Sequence, residues 1–281
     1  MRALAPMASV KATTRSGRLV DGSACEAADF DDPQSLAGVL SALRPNIVVN
    51  AAAYTAVDRA EEDRDTAWRV NAEAPAVIAR WCADSGVPLV HYSTDYVFDG
   101  RSKRPYREDD VTAPLGVYGS SKLAGEDAIR AAGGRHLIFR TAWVYSSHSA
   151  NFLRTMLRLG AERDVVRVVG DQIGTPTPAG LIADVTVQVL RHPAAHCGTW
   201  HLTAAGETSW HGFAAAIFDE ATRSGVLPQS PTVEAITTAD YPTPARRPAY
   251  SCLDISKIER DFDLKLPSWQ SGLKKVFAEL S

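Results

Sequence analysis

Three features of this 281-residue chain predict an α/β fold built on a doubly wound parallel sheet. Short, nearly uninterrupted apolar runs recur through the first half, helix-forming stretches separate them, and each run stops abruptly at polar or aromatic residues. Strands covered on both faces carry such continuous runs, whereas a sheet with one wet face alternates apolar and polar residues.

Taken in order, Val10-Lys11-Ala12-Thr13-Thr14-Arg15 reads as an early strand and its exit. Asp32 can cap a helix over residues 33–43, with Pro33 at the tolerated first position. Residues 46–52 form the next strand. Pro75 would break a helix running straight through the following stretch. The reading is therefore a short helical piece near 66–70 and a helix over about 74–83, with Pro75 in its first turn and Val77, Ile78 and Trp81 on one face. Residues 88–93 and 136–140 are further strands, and Gly133-Gly134 supplies the helix stop between them. The rhythm is Rossmann-like, and ligands of such sheets gather at the carboxyl ends of the strands. Asn50 to Thr55, Ser93 to Asp95 and Thr141 to Tyr145 fall at those ends. Beyond 145 the rhythm fades and Pro, Thr and Trp become frequent. The expected division is a Rossmann-like dinucleotide-binding domain over 1–145 and a smaller, mainly substrate-binding portion over 146–281, with some segments returning to the sheet. In that portion 210–224 reads as a helix, and Trp200 and Trp210 as packing residues.

A formal net charge of -3 leaves no electrostatic footprint for nucleic acid or an anionic membrane, so a small-molecule partner is expected. Cys25, Cys82, Cys197 and Cys252 are scattered without a C-x-x-C pair, which points to reduced thiols and a cytoplasmic setting. No run approaches the ~20 apolar residues of a membrane span. His192, His196 and Cys197 cluster, but Pro193 between them argues for a loop, and no metal site is expected.

Chemistry gathers elsewhere. Tyr118 and Lys122 stand four apart where a loop containing Pro114 gives way to a helix. An i,i+4 pair shares a helix face, so the ammonium can lie beside the phenol and favour its ionised form. A phenol with an ordinary pKa of ~10 needs such help to exchange protons near neutrality. Tyr-x-x-x-Lys alone arises by chance in many helices; Thr94, at a strand end, changes the weighing. Its hydroxyl can hold a substrate carbonyl while Tyr118 delivers a proton and a nicotinamide the hydride.

Further motifs carry a resemblance: Val49-Asn50-Ala51-Ala52-Ala53-Tyr54-Thr55-Ala56-Val57-Asp58, His91 to Phe98, Tyr118-Gly119-x-x-Lys122, Phe139 to Tyr145, Asp171-Gln172-x-Gly174-x-Pro176-Thr177, and Arg247-Pro248-x-x-Ser251. On these the chain resembles the extended short-chain dehydrogenase/reductase family, within it the members that reduce a 4-keto group on a dTDP-sugar. The resemblance implies a catalytic triad of Thr94, Tyr118 and Lys122, with Tyr118 protonating O4 and Lys122 also holding the nicotinamide ribose. It implies that Ala53, Tyr54, Thr55 and Tyr92 line the cofactor and that Asp29 and Phe30 lie near the adenine. Thr94, Asp95 and Trp143 would touch the sugar nucleotide, and Asp171, Gln172 and Arg247 its diphosphate. The cofactor would be NADPH or NADH, and the assembly allowed is a homodimer.

Dehydratases of the superfamily follow the strand-end Thr with Asp-Glu; here Asp95-Tyr96 follows, which suits simple reduction. Relatives open with a strand and a Gly-x-x-Gly-x-x-Gly turn that cradles the pyrophosphate. This sequence starts at Met1-Arg2-Ala3-Leu4-Ala5-Pro6, which resembles the last turns of the helix after that loop. The expectation is that the first strand and glycine loop are missing and that the chain as written binds NAD(P)H poorly. A non-catalytic nucleotide-sugar-binding or regulatory protein, or a related epimerase, is the alternative function. Thr14-Arg15 stands where a carboxylate would grip an adenosine 2'-hydroxyl, and an arginine there favours a 2'-phosphate and hence NADPH.

Overall fold

The structure is a computed structural model, and it describes residues 3–193 and 197–280. Residues 4–8 form a single helical turn, with the amides of Met7 and Ala8 both donating to the Leu4 carbonyl. The early strand shrinks to β1 (Thr13–Thr14), which pairs in parallel with β2 (Glu26–Ala27). This pair stands apart from the main sheet.

That sheet joins β3 (Val48–Asn50), β4 (Leu89–Thr94) and β5 (His136–Thr141) with Gly198–His201, all parallel, in the order Gly198–His201, β5, β4, β3. Thr199 to His201, read with the substrate-binding portion, is thus an outer strand of the first sheet. Its continuous apolar neighbours are covered on both faces, as the runs require. Leu89 and Ile138 bury on one side with α1 (Leu36–Leu43) and its neighbours. Val90, Leu137, Phe139 and Trp200 bury on the other, against Ala179–Arg191 and Ser256–Asp261.

Two local readings change. Asp32 makes no side-chain cap; a 3-10 turn, Pro33–Ser35, precedes α1 and is closed by the Ser35 amide on the Asp32 carbonyl. Nor does Pro75 separate two helices. After the short α2 (Val57–Ala60), α3 (Arg64–Trp68) continues through a π-helical turn, Arg69–Glu73, into α4 (Ala74–Ser85). The widened turn places Pro75 in the first turn of α4, where a missing N–H is tolerated. Val77, Ile78 and Trp81 do share the core-facing side of α4.

The helix that carries Tyr118 and Lys122 is α5 (Val117–Ala131), ended as expected near Gly133, whose φ is 72°. Two glycines let it approach other backbone closely. A Cβ on Gly119 would lie 2.2 Å from the Tyr96 carbonyl oxygen, and one on Gly125 2.2 Å from that of Asn71. A second core, around Leu153, Phe213, Ile217, Phe218 and Phe277, closes the C-terminal part beneath the parallel pair Val165–Val169 and Thr232–Ile236. Trp210–Arg223 is the helix expected there.

Candidate active site

Thr94 ends β4 and is buried, and its hydroxyl works three ways. It accepts the Tyr96 amide at 3.2 Å, capping the turn Asp95–Val97, and donates to Asp95 Oδ1 at 3.0 Å. It also lies against the Tyr118 hydroxyl, easing its ionisation against the larger effect of burial, which pushes the phenol up to about 12. Tyr118 comes in at the first turn of α5, whose Val117 amide donates to Glu61 at 2.8 Å, and its ring meets Tyr96 edge to face. Thr94, Asp95 and Tyr118 are therefore brought together. Burial also pushes the Asp95 carboxyl up to about 6, opposed by hydroxyls of Ser251 and Thr94, and its Oδ2 has no hydrogen-bond partner.

Lys122 differs from expectation. Only 2% exposed, its Nζ donates to the Tyr92 carbonyl at 2.6 Å and stands 3.3 Å from His91 Nε2, rather than lying on the Tyr118 hydroxyl. Its stem runs between α5 and β4 instead of along the helix surface. Burial draws its ammonium down to about 8, with Glu126 opposing. Tyr118 is consequently held in its protonated form, not as a phenolate.

The segment after β3 is open at Ala51, Ala52 and Thr55 and half-buried at Ala53 and Tyr54. Asn71 fixes it: its Oδ1 accepts the Tyr54 amide at 2.9 Å, and its Nδ2 donates to the Tyr54 carbonyl and to Ser121 of α5, each at 3.1 Å. Tyr92 turns its hydroxyl onto Thr186 at 2.8 Å, so its carbonyl rather than its ring reaches the site. At the far edge Arg15, 72% exposed, lies 3.4 Å from Asp29 and 3.8 Å from Asp31, which also holds Arg69 at 2.6 Å. Thr14 is spent on the turn, accepting the Arg18 amide and donating to its carbonyl. Phe30 is half-buried against the core beside α1 and α4.

Trp143 takes a left-handed backbone, φ 47°, and stacks on Trp210 at 3.5 Å between ring centres and 4° between planes. Gly174 is the reason they fit: a Cβ there would lie 2.3 Å from the Trp143 ring. Trp210, assigned to packing, is thus the floor of a candidate substrate contact. Arg247 is not an exposed cation. It donates to Asp58 at 2.7 Å and also to Thr243, while its charge reaches Tyr96. Asp171 and Gln172 both hold Thr238.

The reading of the sequence missed Asn71, His91, Glu126 and Arg140. Arg140 donates to Glu126 at 2.9 and 2.7 Å, both buried, one helical turn beyond Lys122. The available signal was a polar residue inside an apolar run, as in Leu89-Val90-His91 and Ile138-Phe139-Arg140. Among the described residues no group of three His, Cys, Asp or Glu is placed to hold a metal; His196 of the earlier cluster lies outside them. All four cysteines are free. No helix among the described residues is long and apolar enough to cross a membrane.

Fold and site together place the chain among the extended short-chain dehydrogenases/reductases. More narrowly, it belongs to the family whose model is described as the RmlD substrate binding domain, matched over residues 4–281. It is 46% identical over 255 residues to dTDP-4-dehydrorhamnose reductase of Salmonella typhimurium, covering 90% of this chain and 85% of that one. The reductase of Burkholderia thailandensis is 47% identical over 252 residues, covering 86% and 85%. Its fold matches the crystal structure of the Bacillus anthracis reductase in complex with NADP at a TM-score of 0.84 and 35% identity, over 89% and 86% of the two chains.

Proposed function

We propose that this protein reduces dTDP-4-dehydro-β-L-rhamnose to dTDP-L-rhamnose, a precursor of cell-surface polysaccharide, with NADPH or NADH, in the cytoplasm. The observation that carries the reading is the pair of hydroxyls, Thr94 and Tyr118, meeting at the carboxyl end of a parallel sheet in a chain 46% identical to such a reductase.

The residues present suit a nicotinamide cofactor: a run of small, open residues, Ala51-Ala52, at a strand end, and an exposed guanidinium at Arg15 with Asp29 beside it. Ala53, Tyr54, Thr55 and Lys122 would hold the nicotinamide end, and Arg15, Asp29 and Phe30 the adenosine end. The cofactor, when bound, supplies the hydride. Everything else falls to the protein. Reduction of a ketone leaves charge on oxygen, and a proton must arrive there. Tyr118, protonated because burial holds it up to about 12, is the donor, and the Thr94 hydroxyl positions the same oxygen. Asp95, its carboxyl raised by burial to about 6, accepts the single Thr94 hydrogen here, and that hydrogen would turn onto the substrate oxygen when the carbonyl arrives. Trp143 on its Trp210 floor would pack against the sugar nucleotide, and Arg247 would help hold its diphosphate end. A homodimer is the assembly proposed, readable by sedimentation.

The test is steady-state oxidation of NADPH by the 4-keto dTDP-sugar. Tyr118→Phe should lower kcat on the order of 100-fold or more while KM changes little, since the phenolic proton acts in the transition state. A Phe variant that turns over like the wild type would remove Tyr118 from the mechanism.

A further inference from the structure

Asp58 closes the run that begins at Val49, and the reading above gives it no part in the chemistry. It stands in α2, directly after the segment proposed to line the cofactor, and there it ties the first half of the chain to the second. The Ala245 amide donates to its Oδ1 at 3.2 Å, and Arg247 Nη2 donates to its Oδ2 at 2.7 Å. Those partners lie 187 and 189 positions away.

Residues 241–247 form no helix or strand and run between two anchored points. Before them, Asp171 holds Thr238. After them, the Ile173 amide donates to the Ala249 carbonyl and the Ser251 amide to the Ile173 carbonyl, each at 2.8 Å. Pro248 is seated on Gly100, where a Cβ would come within 2.5 Å of the proline Cβ. Among the described residues, Asp58 is the one group outside residues 238–251 that hydrogen-bonds to the stretch. The ends of this strap are fixed, and one carboxylate holds its middle.

Arg247 is held but not used up. A guanidinium carries five hydrogens. Nη1 spends its two on Thr243 and on the Ala245 carbonyl, 3.5 Å away, and Nη2 gives one to Asp58. The Nε hydrogen and the second on Nη2 have no partner among the described residues. The group lies at the site: its charge reaches Tyr96, whose ring meets that of Tyr118 edge to face.

We propose that Asp58 is a positioning residue for the sugar nucleotide, pinning the 241–247 strap to α2 and so presenting the two remaining Arg247 donors to the diphosphate. This rests on the role proposed above for Arg247 and adds the residue that prepares it. A long flexible side chain loses less freedom on binding when a neighbour has already ordered it. The carboxylate form matters. Burial would raise Asp58, but the hydrogen bonds from Arg247 and the Ala245 amide outweigh it and hold the group below its ordinary range. Both of its oxygens accept, one from main chain and one from side chain. An asparagine could keep either bond but not both, because its NH2 must face one of two donors.

The test is calorimetric titration of the full chain with dTDP, which carries the diphosphate without the reacting ketone. Asp58→Ala and Asp58→Asn should each weaken dTDP about tenfold, the weight of one charge-assisted hydrogen bond. Arg247→Ala should weaken it at least as much, and adding Asp58→Ala to that variant should cost nothing further, because the carboxylate acts through the guanidinium. In turnover the Asp58 variants should raise KM for the 4-keto sugar nucleotide by a similar factor and leave kcat nearly unchanged, which loss of folded protein would not do. Losses that multiply in the double variant overturn the proposal. So does dTDP binding left unchanged by Asp58→Ala, or made tighter, which would make the carboxylate a competitor for the arginine. Unchanged affinity in Arg247→Ala also ends it, while the reductase reading stays with the Tyr118→Phe measurement. Full turnover in Tyr118→Phe would undo that reading without touching the dTDP cycle.

Discussion

Glu126 and Asp95 are both carboxylates buried beside α5, and the protein treats them in opposite ways. Burial alone would push each one up. At Glu126 two hydrogen bonds and the charge of Arg140 overcome it and keep the group ionised below its ordinary range. At Asp95 no cation is supplied, one oxygen has no partner, and the group rises to about 6. The contrast separates architecture from chemistry along one helix. Where a carboxylate only anchors, its hydrogen-bonding capacity is filled; where a substrate is to arrive, it is left partly unfilled.

Removing the cation should therefore abolish the difference at the anchored end. Arg140→Met leaves the buried Glu126 with only the part-exposed Arg130, 3.2 Å away, as a cation and should cost up to about 3–5 kcal/mol in urea unfolding. Adding Glu126→Gln should recover a large part of that loss. If the double variant were no more stable than the single one, the ion pair would not be what the arginine contributes.

At the other end the effect is smaller and depends on pH. Asp95 titrates near 3.8 when unfolded and near 6 when folded. Below the lower value the carboxyl is neutral in both states and its contribution to stability is fully present; it is lost as pH rises through the folded value. Asp95→Asn should accordingly stabilise the protein by up to about 3 kcal/mol above neutrality and by nothing in acid. Thermal melts across that range decide it, and a gain independent of pH would mean that burial of the charge is not the cause. Activity should fall as stability rises.

The smallest effect extends the comparison to the surface. Asp29 and Asp31 meet Arg15 in solvent, where ion pairs contribute little to stability. Arg15→Ala should leave the melting temperature unmoved and raise KM for NADPH a few-fold, roughly the loss of one exposed charge-assisted contact, without changing KM for NADH. Equal changes for both cofactors would end the case for a 2'-phosphate contact.

The sequence made the sheet readable because its strands are buried on both faces and therefore write long apolar runs. It made Thr94 readable because polar groups interrupt those runs at their ends, and Tyr118 readable by its four-residue spacing to Lys122 at the start of a helix. What it hid follows from distance and from reach. Asn71 binds Tyr54, seventeen positions back, and Ser121, fifty ahead, and a composition window sees neither. Lys122 lies where the i,i+4 spacing puts its Cα, but a four-carbon stem let its charge leave the tyrosine for the Tyr92 carbonyl. Asp32 looked like a cap because its type favours one, yet backbone hydrogen bonds closed that turn without it. Trp210 looked like filler because nothing local says that another indole will stack on it.

The two glycines of α5 have a further consequence. Because Gly119 and Gly125 rest on the carbonyl groups of Tyr96 and Asn71, the helix is seated main chain against main chain, like a part located by hard stops rather than by cushions. The height of Tyr118 above the sheet is then independent of any rotamer and insensitive to repacking of the core. It also cannot be tuned: even one added methyl group at either position must lift the helix or drive its neighbour aside. In a saturation library these two positions should prove as intolerant as the tyrosine they support, although neither carries an atom that could meet a substrate.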